Sequence, residues 1–157
     1  MNSICRHSMT EVAFHFNAPD KLGYACRLLR KAYQRGARLL VVADESDRLA
    51  LDTALWTMAP GAFIPHSSAS DPDHVWSRSP IQLAGSLPVQ SDATVLVNLC
   101  SEVPSGFDNY ARVIEVVSGS DLDRQQARER WKFYKANGIE PQRHDLQLAS
   151  PESRKPG

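Results

Sequence analysis

The seven residues "RLLVVAD" (Arg38–Asp44) decide the fold. Leu39, Leu40, Val41, Val42 and Ala43 follow one another with no polar residue between them, so both faces of the segment are apolar. A strand of that kind belongs inside a parallel sheet with helices covering both of its faces. Upstream, "EVAFHF" (Glu11–Phe16) alternates instead, with Val12, Phe14 and Phe16 on one face. Between the two, Pro19 opens a helical segment carrying Leu22, Ala25, Cys26, Leu29, Ala32 and Tyr33, which Gly36 ends. Downstream, the spacing predicts a helix over Asp44–Met58, with Leu51, Leu55 and Trp56 as its large apolar residues. Three further strands follow in "IQLAG" (Ile81–Gly85), "ATVLVNLC" (Ala93–Cys100) and "ARVIEVV" (Ala111–Val117). Ser120 then starts a last helix in an S-x-x-D capping pattern with Asp123, and Gly138 ends it. Strands and helices in this order imply right-handed crossovers and a three-layer, Rossmann-like α/β domain with a mainly parallel sheet.

Bulk properties fit one such domain. The 157 residues leave room for a proper core, and 42% hydrophobic with 23% charged content is ordinary for a globule. Lys and Arg number 18, as do Asp and Glu, which argues against a wholesale nucleic-acid or membrane binder. No apolar run approaches the length of a bilayer span, and no export signal is visible at the N-terminus. Cys5, Cys26 and Cys100 are odd in number and far apart, as expected of free thiols in a reducing cytoplasm. Three stretches fall outside the expected core. Residues 1–8 are read as a disordered extension, the polar "HSSASDPDHVWSRSP" (His66–Pro80) as a loop, and 149–157 as a disordered tail, leaving 9–148 as the domain.

Nucleotide and metal chemistry find little support. The first strand-to-helix turn, "NAPDKLG", has one glycine at its far end, where a dinucleotide site needs several, and no G-x-x-x-x-G-K-[ST] occurs. Asp44 and Glu45 could hold a ribose, but without a glycine loop they read as caps of the following helix. His66, Asp71, Asp73 and His74 lie in a segment too irregular to fix metal geometry. Cys100 closes a strand with no base supplied beside it, and His15 reads as a strand side chain on the polar face. No cofactor is implied. An α/β nucleotide binder or enzyme with a degenerate phosphate loop remains the alternative.

The informative segment is "RQQARERWKFYKANG" (Arg124–Gly138). At 100° per residue, Arg124, Arg128, Lys132 and Lys135 form one stripe about 80° wide, bordered by Trp131. Ala127 and Tyr134 continue onto the apolar side, while Phe133 and Leu122 point nearly opposite. A solvated face is the plain reading of any basic helix. A single-sign stripe edged by an aromatic ring also suits a ligand both acidic and apolar-ended, such as an acidic peptide tail, or single-stranded nucleic acid. A second feature is "LDTALWTMAPGAFIPHS" (Leu51–Ser67), where Trp56, Met58, Phe63 and Ile64 gather at a helix exit. Core closure is the plain reading there, and an exposed Trp56–Phe63 pair would instead be a partner surface.

These segments, together with "ATVLVNL", resemble the chi subunit of bacterial DNA polymerase III holoenzyme. The motifs are L-D-x-A-L-W, F-x-P-H and A-R-E-R-[YW]-K-x-Y, in that order, within a match running from about Thr10 to Ile139. The resemblance implies a Rossmann-like accessory protein with no catalytic activity. It further implies a link, through the psi subunit of the clamp loader, to the acidic C-terminal tail of single-stranded-DNA-binding protein. By this resemblance the tail site maps to Arg124, Arg128, Trp131 and Lys132, and the psi surface to Trp56 and Phe63. A repair helicase on that same face is a further partner candidate, and DNA would be reached only indirectly. Trp131 stands where many members have Tyr, and Arg124 where Lys is common. The segment "VVSGSD" is shorter than in better-known members, and Ser67–Ser79 diverges.

Overall fold

The computed structural model describes residues 10–57, 66–68, 80–85 and 93–146, with the backbone alone at 56–57 and 66–68. Strand β1 (Glu11–Ala18) leads into helix α1 (Lys21–Gln34), strand β2 (Leu39–Val42) and helix α2 (Glu45–Thr57). Short strands β3 (His66–Ser68), β4 (Ile81–Ala84) and β5 (Val95–Asn98) follow, then β6 (Arg112–Ser118), helix α3 (Asp121–Ala136) and β7 (Gln142–Asp145). The strands form one sheet in the order β3-β4-β2-β5-β6-β1-β7, and every pairing in it is parallel.

The decisive run is buried at all four β2 positions and lies between β4 and β5. Its side chains divide by parity, as a pleated strand requires. Leu39 and Val41 join the core under α1 and α2 with Leu29, Leu51 and Leu55, whereas Leu40 and Val42 join the core under α3 with Phe14 and Tyr134. Helices therefore cover both faces. Each fully buried leucine contributes roughly 1.5–3 kcal/mol by leaving water.

Helix ends follow local chemistry. Asp20 caps α1 by accepting from the Gly23 amide at 3.1 Å, so the helix begins just after Pro19 and not at it. Asp44 accepts from the Asp47 amide at 3.0 Å and caps α2. Ser120 accepts from the Asp123 amide at 3.1 Å and caps α3. The Asp123 carboxylate completes no reciprocal box. It accepts from the Ser118 amide at 2.8 Å and from Lys21 at 3.2 Å, tying the first turns of α3 and α1 together. Gly36 and Gly138, at φ +86° and +83°, supply the left-handed residues that let the chain leave α1 and α3.

Two segments depart from the sequence reading. His66–Ser68, expected in a loop, pairs with β4 as an edge strand. Gln142–Asp145, to which the sequence reading assigned no element, pairs with β1 as the other edge. Both are short, polar edge strands whose pairing comes from the neighbour's backbone, so neither carries an apolar signature. Residues 1–8 and 149–157 lie outside the described residues.

Candidate functional site

The α3 face of the β6-β1-β7 edge holds a cleft of about 370 Å³. Alternation along β1 sends Phe14 and Phe16 into it, β6 adds Val117, and β7 adds Arg143. The opposite wall is α3, with Arg124, Ala127, Arg128 and Trp131 spaced at i, i+3, i+4 and i+7. Phe14, Val117 and Ala127 are buried and form an apolar base. The half-buried Trp131 leans on Phe14 with ring centroids 5.2 Å apart at 55°. Arg143 stacks over Phe16 at 5.1 Å, a cation–π contact. Asn17 holds that arrangement by donating to Asp145 at 3.0 Å while occupying the left-handed region at φ 65°, where the β1–β6 register shifts. Three guanidinium groups thus ring an apolar base, and no carboxylate among the described residues lines the cleft.

The four helix residues singled out from sequence do not behave alike. Arg124, Arg128 and Trp131 line the cleft together. Lys132 does not: it stands about 40° further around the helix than Arg128, is 72% exposed, and pairs with Glu129 at 3.6 Å. Arg124 lies 4.0 Å from Asp121 and Lys135 lies 3.6 Å from Glu140. These are surface pairs of small energy. Arg128 makes no ion pair among the described residues, which leaves its fork open to a ligand. Trp56 lies in the last turn of α2 with its side chain outside the description, and Phe63 lies outside the described residues. The positions of Phe14, Phe16 and Arg143 in this cleft were missed. For the two phenylalanines the signal was the β1 alternation. For Arg143 there was none until β7 was known to be a strand.

Arg130 belongs elsewhere. It lies in the same basic segment of the sequence, but it is 2% exposed and forms a buried pair with Glu115 on β6, Nε donating to Oε1 at 2.8 Å. Tyr134 donates its hydroxyl to the same carboxylate at 2.6 Å, and Asn98 donates from Nδ2 at 3.0 Å. Arg130 also donates to the Ser101 carbonyl at 3.1 Å, and Asn98 to the Glu102 carbonyl at 3.0 Å, so the group anchors the chain after β5 to α3. Burial pushes the Glu115 carboxyl up, with Arg130, Tyr134 and Asn98 pulling it back. The Tyr134 phenol is raised by burial and by Glu115. A charge inside "VIEVV", opposite a helix position flanked by Ala127 and Tyr134, was the sequence signal for this cluster.

Other candidates carry less chemistry. The N-termini of the three described α-helices are filled by Asp20, Asp44 and Ser120, where a nucleotide phosphate would otherwise sit. The half-buried Cys100 thiol is pushed up by burial and by Asp44, which disfavours the reactive thiolate. No cluster of three metal-ligating side chains occurs among the described residues, and no described helix is long and apolar enough to cross a membrane.

Comparison with known proteins fits this geometry to a family. Residues 9–142 match the family model described as DNA polymerase III chi subunit, HolC. The chain belongs to the DNA polymerase III chi subunit family. DNA polymerase III subunit chi of Pseudomonas aeruginosa is 36% identical over 143 residues, covering 88% of this chain and 98% of that protein. The proteins of the same name from Haemophilus influenzae and Escherichia coli are 28% and 27% identical, each over 73% of this chain. The buried Glu115–Arg130 pair and every lining residue of the α3 cleft except Arg143 lie within the matched region.

Proposed function

We propose that this chain is a non-catalytic adaptor of DNA replication, an accessory subunit that holds the acidic, Phe-ended tail of single-stranded-DNA-binding protein in the α3 cleft. The observation that carries this reading is an apolar base ringed by Arg124, Arg128 and Arg143, with no lining carboxylate among the described residues. A terminal ring finds Phe14, Val117 and Trp131, and the carboxylates find guanidinium forks. Membership of the family supports a role in replication. Joining the tail to the clamp loader through psi, at Trp56 and Phe63, completes the proposal and rests on the family resemblance alone. A repair helicase would compete for that same face.

Fluorescence anisotropy with a labelled acidic peptide ending in Phe tests the tail site. Arg128→Ala weakens binding most, by about 1.5–3 kcal/mol, the usual range for hydrogen bonds to charged groups. Arg124→Ala costs less, and its effect fades as salt rises. Lys132→Ala costs less than Arg128→Ala because Lys132 does not line the cleft. Equal binding by wild type and Arg128→Ala would place the peptide elsewhere.

A further inference from the structure

The other face of the same sheet edge carries a second cleft, of about 540 Å³, between α1 and strands β6, β1 and β7. Arg27 and Lys31 on α1, with Arg35 at that helix's C-terminal cap, line one wall at i, i+4 and i+8, a row of cations about 12 Å long at 1.5 Å per residue. All three are exposed, and none makes an ion pair among the described residues. Arg112 faces them from β6, where Glu11 partly offsets it at 3.6 Å. Rings make up the base. The His15 Nδ1 bonds the Tyr24 hydroxyl, and the His15 ring meets those of Tyr24 and His144 at centroid distances of 5.7 and 4.8 Å.

Chemistry separates this cleft from the first. The α3 cleft presents the phenyl rings of Phe14 and Phe16, suited to an apolar terminus. Here the rings are imidazole and phenol, which offer stacking faces with hydrogen-bonding edges. Burial, with His144 and Arg112, lowers the His15 pKa to about 4, so this ring is uncharged at neutral pH. The positive charge therefore lies on the walls and the stacking surface at the base. We propose that the α1 cleft is a binding site for a short stretch of single-stranded nucleic acid, its phosphates along Arg27, Lys31 and Arg35 and its bases against the ring base. A cationic groove beside stacking rings is the arrangement that holds single strands without reading their sequence. An acidic protein segment would use the cations and leave the rings idle. The site shares no lining residue with the α3 cleft and stands whether or not that cleft holds a peptide.

Anisotropy of a labelled oligothymidylate, titrated with the full chain over a series of salt concentrations, tests it. Three phosphate contacts give a slope of log affinity against log salt of about −2. Charge reversal in Arg27→Glu/Lys31→Glu weakens binding on the order of tenfold or more and flattens that slope. His144→Ala, which leaves the cationic row intact, weakens binding several-fold with the slope unchanged. Arg128→Ala binds the strand as wild type does. Equal affinity of the charge-reversed variant and wild type would overturn the proposal. So would displacement of the strand by polyglutamate as readily as by unlabelled oligothymidylate, which would assign the cleft to an acidic protein.

Discussion

Arg128 and Arg130, two residues apart on one helix, show how little a residue's type says about its work. Arg128 is exposed at the cleft rim, while Arg130 is shut against Glu115. Deleting them separates the two roles. Arg130→Ala strands a buried carboxylate and costs about 3–5 kcal/mol in chemical denaturation. Arg128→Ala stays within about 0.5 kcal/mol of wild-type stability, as surface substitutions do. Comparable losses from both would refute the division. The sequence showed that these arginines share a helix with Ala127 and Tyr134. Only Glu115, itself unremarked among apolar neighbours, told which of them turns inward. A buried ion pair between β6 and α3 is long-range, and no local periodicity reports it.

At the scale of elements, β1 organises the molecule's edge. Its even-numbered residues Phe14 and Phe16 feed one cleft and its odd-numbered Ala13 and His15 feed the other. The alternation of "EVAFHF" made Val12, Phe14 and Phe16 legible as one face. The opposite face read as merely polar, because α1 and β7 had yet to be placed against it. There His15 meets Tyr24 from α1, Arg112 from β6 and His144 from β7. Its folded pKa of about 4 lies below the ordinary value of 6.5. The unfolded chain therefore takes up a proton first as pH falls. The stability tied to neutral His15 is complete above about 6.5 and is lost as pH falls toward 4. Melting temperatures of wild type should accordingly fall more over that window than those of His15→Gln, which keeps a hydrogen-bonding side chain but cannot titrate. Parallel curves would show that His15 is not held neutral. The helices were legible to within a residue or two because Asp20, Asp44, Ser120, Gly36 and Gly138 act locally. Strands β3 and β7 were not, because edge pairing is decided by a partner far away in sequence.

At the scale of the whole molecule, a chain with 18 basic and 18 acidic side chains gathers cations into two clefts back to back across one sheet edge. Net charge concealed this, whereas the single-sign stripe on α3 pointed to one half of it. The central claim is that the α3 cleft, with Trp131 as its wall, receives an acidic Phe-ended peptide. Amide and indole chemical-shift mapping tests it most directly, by titrating that unlabelled peptide into the ¹⁵N-labelled chain. The Trp131 indole N–H and the amides of Val117, Ala127 and Arg128 should move together with one saturating dissociation constant, while Tyr24, Leu28 and Arg112 stay still. Shifts centred on Tyr24, Leu28 and Arg112, or no saturable shift at Trp131, would contradict it.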